Sequence, residues 1–139
     1  MDKSILFHVS DQELMPTQST YAHISTIKDY DQNSIQEILY QDLCDYFLPQ
    51  ETETILQQAY NKLSVGGIIH IQGSDLRQLC IAVAFNMIDQ SVVKNVLYPN
   101  KKSIHNLSEI LDMMKKIGFK IDTKKYINIF EYYIKGYKI

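Results

Sequence analysis

The fold is decided by the stretch Leu63-Ser64-Val65-Gly66-Gly67-Ile68-Ile69-His70-Ile71. Its two glycines indicate a turn, and the β-branched residues that follow predict a strand over residues 68–72. Before the glycines, apolar residues recur at helical spacing over residues 51–63, with acidic residues in the first turn, which predicts a helix. A helix, a glycine turn and a strand in succession form half of a βαβ unit, so the stretch predicts an α/β fold.

The rest of the chain extends this pattern in both directions. Upstream, three runs of strand-forming residues occupy residues 5–9, 21–27 and 34–40, and residues 42–49 follow as a loop with a turn of helix. Downstream, one helix is predicted over 76–88, and another begins at Asn106, whose spacing to Glu109 resembles a capping box, and ends at Gly118. Residues 119–121 and 126–138 then predict a final antiparallel hairpin.

Strands that alternate with helices predict a mostly parallel sheet with helices on both faces, and the C-terminal hairpin is expected at one edge. A length of 139 residues suits one domain, so residues 1–139 are expected to fold as a single unit. Hydrophobic residues make up 45% and charged residues 22% of the chain, which is typical of folded globular proteins.

Charge and cysteine content argue against several classes of function. The net charge of -2 gives no general attraction to nucleic acid, and the lysines between residues 115 and 125 are expected to form a solvated face. Cys44 and Cys80 lack the spacing of a zinc site, and the four histidines contain no i, i+4 pair, so no metal site is expected. His8 and His70 are interpreted as packing histidines in a covered sheet.

The N-terminal apolar run is only five residues long, too short for a signal-peptide core or a membrane span. A cytoplasmic location with no membrane partner is therefore expected. Reduced, buried thiols at both cysteines agree with that compartment.

Three segments resemble those of small class I methyltransferases, which use S-adenosylmethionine. Residues 63–71 resemble the "LkPGG-l-i" turn and strand of that family. Residues 34–38 with 43–47 resemble its "sfDeI" strand and "vLEHf" segment, and residues 107–119 resemble its "L--lL---GF" helix. The order and spacing agree over about residues 34–138, so the resemblance implies a shortened Rossmann-like methyltransferase fold.

The resemblance also implies where S-adenosylmethionine would bind. The implied cofactor-binding residues are Val9, Ser10, Asp11, Ser25, Asp42 and Leu43. In the family the first three positions belong to a glycine-rich turn, because glycine lets the backbone approach the ligand closely. Here no glycine precedes Gly66, and Asp11 would crowd the cofactor's carboxylate with like charge. This degenerate loop predicts impaired cofactor binding.

Candidate catalytic residues follow the third predicted strand. Asp42 and Asp45 come after a strand's carboxyl end, where open α/β sheets place ligands, so they are candidate general bases or ligand anchors. Exposed turn acids are the alternative interpretation. In the resemblance, Asp45 and Tyr46 take the positions of the acid and histidine of "vLEHf", which makes Tyr46 a third candidate.

Two functions are therefore compatible with the sequence. The first is an S-adenosylmethionine-dependent methyltransferase with a degenerate loop. The second is a non-catalytic methyltransferase-like module that associates with itself or with a protein partner, since a shortened domain is expected to leave apolar surface uncovered. Dimerisation is the specific expectation of the second hypothesis, and the C-terminal tyrosines are predicted either to line the interface or to pack within the hairpin.

Overall fold

The structure, a computed structural model, describes residues 4–8, 20–97 and 104–139. The strands within these ranges are β1 (Ser4–His8), β2 (Thr20–His23), β3 (Ile35–Gln41), β4 (Leu63–Ser74), β5 (Lys120–Tyr126) and β6 (Glu131–Tyr137). The helices are α1 (Pro49–Lys62), α2 (Leu76–Ala84), α3 (Gln90–Leu97) and α4 (Leu107–Ile117), with short 3₁₀ helices at Ile24–Asp29 and Leu43–Tyr46.

The six strands form one sheet in the order β2-β1-β3-β4-β6-β5. Strands β2, β1, β3 and β4 are parallel neighbours, whereas β6 pairs antiparallel with both β4 and β5. The predicted fold class is confirmed, because the sheet is mostly parallel, the connections contain helices, and an antiparallel pair ends the chain at one edge.

The core lies on one face of the sheet. Buried aliphatic and aromatic side chains alternate along the central strands, at Phe7, Ile38, Tyr40, Ile69, Ile71, Tyr132 and Ile134. Helix α1 covers this face, where the Tyr40 hydroxyl donates to the Ile55 carbonyl over 2.9 Å. Helix α4 packs beside α1 on the same face and buries Ile110, Leu111 and Met114 in the same core.

The opposite face carries the side chains that point the other way along each strand, among them Leu39, His70 and Tyr133, all partly exposed. Helices α1 and α4 pack on the first face, where they bury the core residues named above. We call this opposite side the second face of the sheet.

The decisive glycines lie inside a strand. Helix α1 ends at Lys62 and β4 begins at once at Leu63, five residues earlier than the predicted strand. Gly66 adopts a positive φ of 81° and donates its N–H to the Lys138 carbonyl over 2.7 Å. A Cβ on Gly67 would lie 2.8 Å from the Ser64 carbonyl oxygen. The pairing of β3 with β4 is interrupted by a bulge between Leu63 and Ile68. Glycine is needed in this bulge, for the positive φ at residue 66 and for the close backbone contact at residue 67.

Two other elements differ from the sequence prediction. The strand expected over 21–27 stops at His23, because the His23 side chain caps a 3₁₀ helix that buries Ile24 and Ile27. Helix α2 ends at Ala84, before the predicted end at residue 88, and Asn86 adopts a left-handed φ of 54° shortly after it. Helix α3 was not predicted.

No helix within the described ranges has both the length and the apolar character needed to cross a membrane.

Candidate site at the carboxyl ends of β1, β2 and β3

The strand order creates a switch point between β1 and β3. From β1 the chain goes to β2 on one side, and it then returns past β1 to β3 on the other side. In open α/β sheets, ligands bind in the crevice outside the carboxyl ends of the strands at such a point. The strands that meet there end at His8, His23 and Gln41.

Two histidines stand side by side at this edge. The parallel register pairs His8 with His23, and their rings meet edge to face with centroids 5.7 Å apart. His8 Nδ1 is buried and has no hydrogen-bond partner among the described residues. The sequence interpretation of His8 as a packing histidine missed this pairing, because it depends on the register of two strands rather than on any local pattern.

Ser25 lies next to this histidine pair. The Ser25 N–H donates to His23 Nδ1 over 3.1 Å, and the Ser25 hydroxyl lies 2.8 Å from the same nitrogen. Because Nδ1 accepts a backbone N–H, the ring proton of neutral His23 sits on Nε2. The end of β2 therefore presents an exposed hydroxyl and an imidazole donor.

Asp42 turns the chain at the end of β3. It adopts a left-handed φ of 56°, which aspartate tolerates better than most residues, and its N–H donates to the Gln72 carbonyl over 2.7 Å. Its side chain is half-buried. Leu43, the next residue, places its side chain in the core and is 1% exposed.

Asp45 lies beneath this turn. Its carboxylate is completely buried and accepts the Ser74 N–H over 3.4 Å. Burial, followed by the negative charge of Asp45, raises the pKa of the Cys44 thiol far above its ordinary value. Burial likewise raises the pKa of the Tyr132 hydroxyl, with smaller contributions from Cys44 and Asp45. Asp45 is thus part of a polar cluster shielded from solvent.

The structure brings only some of the implied site residues together. Ser25 and Asp42 both lie at the carboxyl edge, whereas the Leu43 side chain points into the core. Tyr46 is half-buried in the 3₁₀ helix that also contains Asp45. Val9, Ser10 and Asp11 lie outside the described residues. Within the described ranges, no group of three or more His, Cys, Asp or Glu side chains is arranged to hold a metal ion.

Comparison with known proteins relates this geometry to a fold. No protein-family model matches the chain, and no curated protein matches it. Among solved structures, the PH0226 protein from Pyrococcus horikoshii OT3 is similar with a TM-score of 0.71 and 12% identity, over 99% of this chain and 72% of that one. The S-adenosylmethionine-dependent methyltransferase SibL is similar with a TM-score of 0.63 and 15% identity, over 87% of this chain. The fold is methyltransferase-like.

A third similar structure is an S-adenosylmethionine-dependent methyltransferase from Archaeoglobus fulgidus, with a TM-score of 0.59 and 14% identity over 87% of this chain and 68% of that one. The chain spans only 36% of the length of SibL. At these identities the similarity establishes the methyltransferase-like fold alone.

Proposed function

We propose that this chain is a methyltransferase-like domain that binds S-adenosylmethionine, or its demethylated product, at the carboxyl edge between β1 and β3. The observation that carries the proposal is the buried His8 Nδ1, which lies at the switch point and has no partner among the described residues. Two of the similar structures are of proteins named as S-adenosylmethionine-dependent methyltransferases.

The side chains at this edge fit a nucleoside. Ribose hydroxyls both donate and accept hydrogen bonds, and His23 Nε2 with the Ser25 hydroxyl supplies a donor and an acceptor at the end of β2. The imidazole pair of His8 and His23 offers aromatic surface for an adenine ring. His8, His23 and Ser25 would thus bind the cofactor in place of the glycine-rich turn that class I methyltransferases use.

The carboxylate of Asp42 suits the positive charges of the cofactor's ammonium and sulfonium groups. It also follows β3 directly, so Asp42 is our candidate for accepting a proton from a methyl acceptor. Asp45 is fully buried and fits an indirect role, in which its carboxylate holds the Ser74 N–H and positions the loop after β4.

Thermal unfolding with added ligand tests this proposal. A ligand at 100 times its dissociation constant stabilises the folded state by about 2.7 kcal/mol. We expect S-adenosylmethionine and its demethylated product to raise the midpoint, His8→Ala to abolish the shift, and the exposed control Gln57→Ala to retain it. If neither ligand shifts the wild-type midpoint at millimolar concentration, the binding proposal is wrong.

A second candidate function is association between two copies of the chain. It is favoured by large apolar side chains that are exposed on α2, α3 and the segment between them, at Leu76, Ile81, Phe85, Met87 and Val92. Phe85 is 74% and Met87 55% exposed, and large apolar side chains left exposed on neighbouring helices are typical of interaction sites. Most soluble oligomers are formed by identical chains, and a net charge of only -2 opposes self-association weakly.

Native mass spectrometry at tens of micromolar tests the association. We expect a dimer for the wild type and a monomer for the double variant Phe85→Ser, Met87→Ser. Val65→Ser is the matched control, because Val65 is 75% exposed but lies on β4, away from these helices. A wild-type chain that stays monomeric would refute this second function and leave nucleoside binding untouched.

A further inference from the structure

A groove crosses the second face of the sheet, over β3, β4 and β6. Its volume is about 350 Å³, and it is lined by Glu37, Leu39, Gln41, His70, Gln72 and Tyr133. The volume falls at the lower end of the range of small-molecule sites. None of these side chains belongs to the proposed nucleoside site, so a ligand could bind in the groove whether or not that site is occupied.

The strand register sets the groove's shape. Leu39 lies opposite His70, and Gln72 lies between Gln41 on β3 and Tyr133 on β6. Leu39 therefore forms an apolar floor, with a carboxylate at one end of the groove and two glutamine amides at the other.

A chain of polar contacts holds the carboxylate of Glu37 in place. The Ser4 hydroxyl donates to Glu37 Oε1 over 2.9 Å, and His70 Nε2 lies 3.4 Å from Glu37 Oε2. Because Nε2 faces the carboxylate, it carries the ring proton of neutral His70, and Nδ1 accepts the Tyr133 hydroxyl over 2.6 Å. Side chains from three strands, β1, β4 and β6, thus fix a single carboxylate on β3.

The Tyr133 hydroxyl is suited to donate a hydrogen bond to His70. Partial burial, followed by the charges of Glu37 and Asp122, raises the pKa of its hydroxyl. The phenol therefore stays protonated at neutral pH and can donate to His70. Both ring nitrogens of His70 are then occupied, which leaves the partly exposed carboxylate of Glu37 as the charged group that faces the groove.

The charged residues around the groove favour a ligand of positive charge. Among the residues that the structure describes, Glu37 and His70 are the only acidic or basic ones that line it. Of the nearby lysines, Lys135 Nζ lies 3.8 Å from Asp122, and Lys125 Nζ lies 5.6 Å from the centroid of the Tyr133 ring, near the groove but not among its lining residues. An anion would be repelled by Glu37, whereas a cation would gain a charge-assisted hydrogen bond.

We propose that this groove binds a small organic amine, with its ammonium group on Glu37 and its apolar part on Leu39. Side chains two residues apart on one strand lie about 6.6 Å from each other, which matches the reach of a four-carbon amine. The amides of Gln41 and Gln72 would bind a neutral polar group at the far end of a longer ligand.

The proposal is tested by NMR titration of the full chain with n-butylamine, n-butanol and butyrate. We expect n-butylamine to shift backbone amides of β3 and β4 near Leu39 and His70, with a dissociation constant in roughly the millimolar range for so small a ligand. Butanol and butyrate should shift them far less, and 0.5 M sodium chloride should weaken the amine titration through screening.

Glu37→Gln removes the charge without changing the size of the side chain, and it should weaken n-butylamine binding about tenfold. Glu53→Gln is the matched control, because the Glu53 side chain is 41% exposed, against 38% for Glu37, and pairs with Lys116 on the opposite side of the sheet. Equal binding by Glu37→Gln and wild type, or equal shifts with butanol and the amine, would overturn the proposal. The spectrum of each variant reports separately whether it is folded.

Discussion

The Tyr126 hydroxyl donates to Asp75 Oδ2 over 2.9 Å, which ties the end of β5 to the N-terminus of α2. The same oxygen accepts the Leu107 N–H over 2.8 Å at the start of α4, and Oδ1 accepts the Gln78 N–H over 2.9 Å. One buried carboxylate therefore joins three elements that are distant in sequence.

Loss of this carboxylate is expected to be costly. Asp75→Ala leaves two helix N–H groups and a hydroxyl without their acceptor, so the free energy of unfolding should fall by about 3 kcal/mol. Tyr126→Phe removes only one of the three bonds, at a half-exposed site, and should cost about 1 kcal/mol. Guanidinium denaturation measures both, with the exposed Asp122→Ala as control. An Asp75→Ala variant no less stable than Tyr126→Phe would contradict this account.

The two glycines of the decisive stretch should respond differently to alanine. At Gly66 no atom lies near the new Cβ, so only the positive φ opposes it, at a cost of about 1 kcal/mol. At Gly67 the Cβ would meet the Ser64 carbonyl at 2.8 Å and the Gln36 carbonyl at 3.1 Å, and backbone atoms in a sheet cannot move away easily. We expect Gly67→Ala to cost about 3 kcal/mol, in the range of overpacked cores.

Thermal unfolding of Gly66→Ala and Gly67→Ala provides the comparison, with each variant measured against wild type under one buffer condition. A Gly66→Ala variant that is the less stable of the two would show that the bulge at the start of β4 is set by φ rather than by close backbone approach.

The cysteines should differ in reactivity. Cys44 is completely buried, and burial with the Asp45 charge raises its pKa, whereas Cys80 is exposed on α2. At pH 8, a disulfide reagent should label one thiol per native chain and two in denaturant. Cys80→Ser should abolish the native reaction, and rapid labelling of that variant would disprove the burial of Cys44.

Stability should fall at alkaline pH. Burial raises the pKa of Tyr40 and Tyr132 above that of the unfolded chain, so the folded state holds protons that the unfolded state releases. This stabilisation is complete below the unfolded value of about 10 and is lost as the pH rises above it, by about 1.4 kcal/mol per pH unit and group. Denaturant titrations between pH 8 and 11 should show this slope together with that of the buried Cys44 thiol, whose pKa is also raised, and the slope should be shallower in Tyr40→Phe. An unchanged slope in that variant would exclude Tyr40 as a contributor.

Elements coded by local signals were predictable from the sequence. Helix α4 is an example, since Asn106 and Glu109 form the expected capping box and Gly118 ends the helix with a positive φ. The strand predicted over residues 34–40 likewise lies within one residue of β3 at each end. By contrast, helix α3 was not predicted, although Asp89 precedes it and its apolar residues recur at helical spacing. The end of β2 is set by a side-chain cap that the spacing of apolar residues does not predict.

The side-chain clusters on which the proposals rest could be found only from the tertiary structure. His8 meets His23 through the register of β1 and β2, and Tyr133 meets His70 across 63 residues of chain. Two side chains on neighbouring strands meet only if the strand register places them opposite each other. A shift of one strand by one residue would move its side chains to the other face of the sheet.

The sequence alone thus determined the α/β class and the order of most elements, because short-range propensity and periodicity encode them. Tertiary structure decided that α1 and α4 share one face of the sheet, that two imidazoles occupy the carboxyl edge, and that Glu37 is held in an open groove. Those outcomes arise from strand pairing between distant segments, where the free energy depends on contacts that no single stretch of sequence contains.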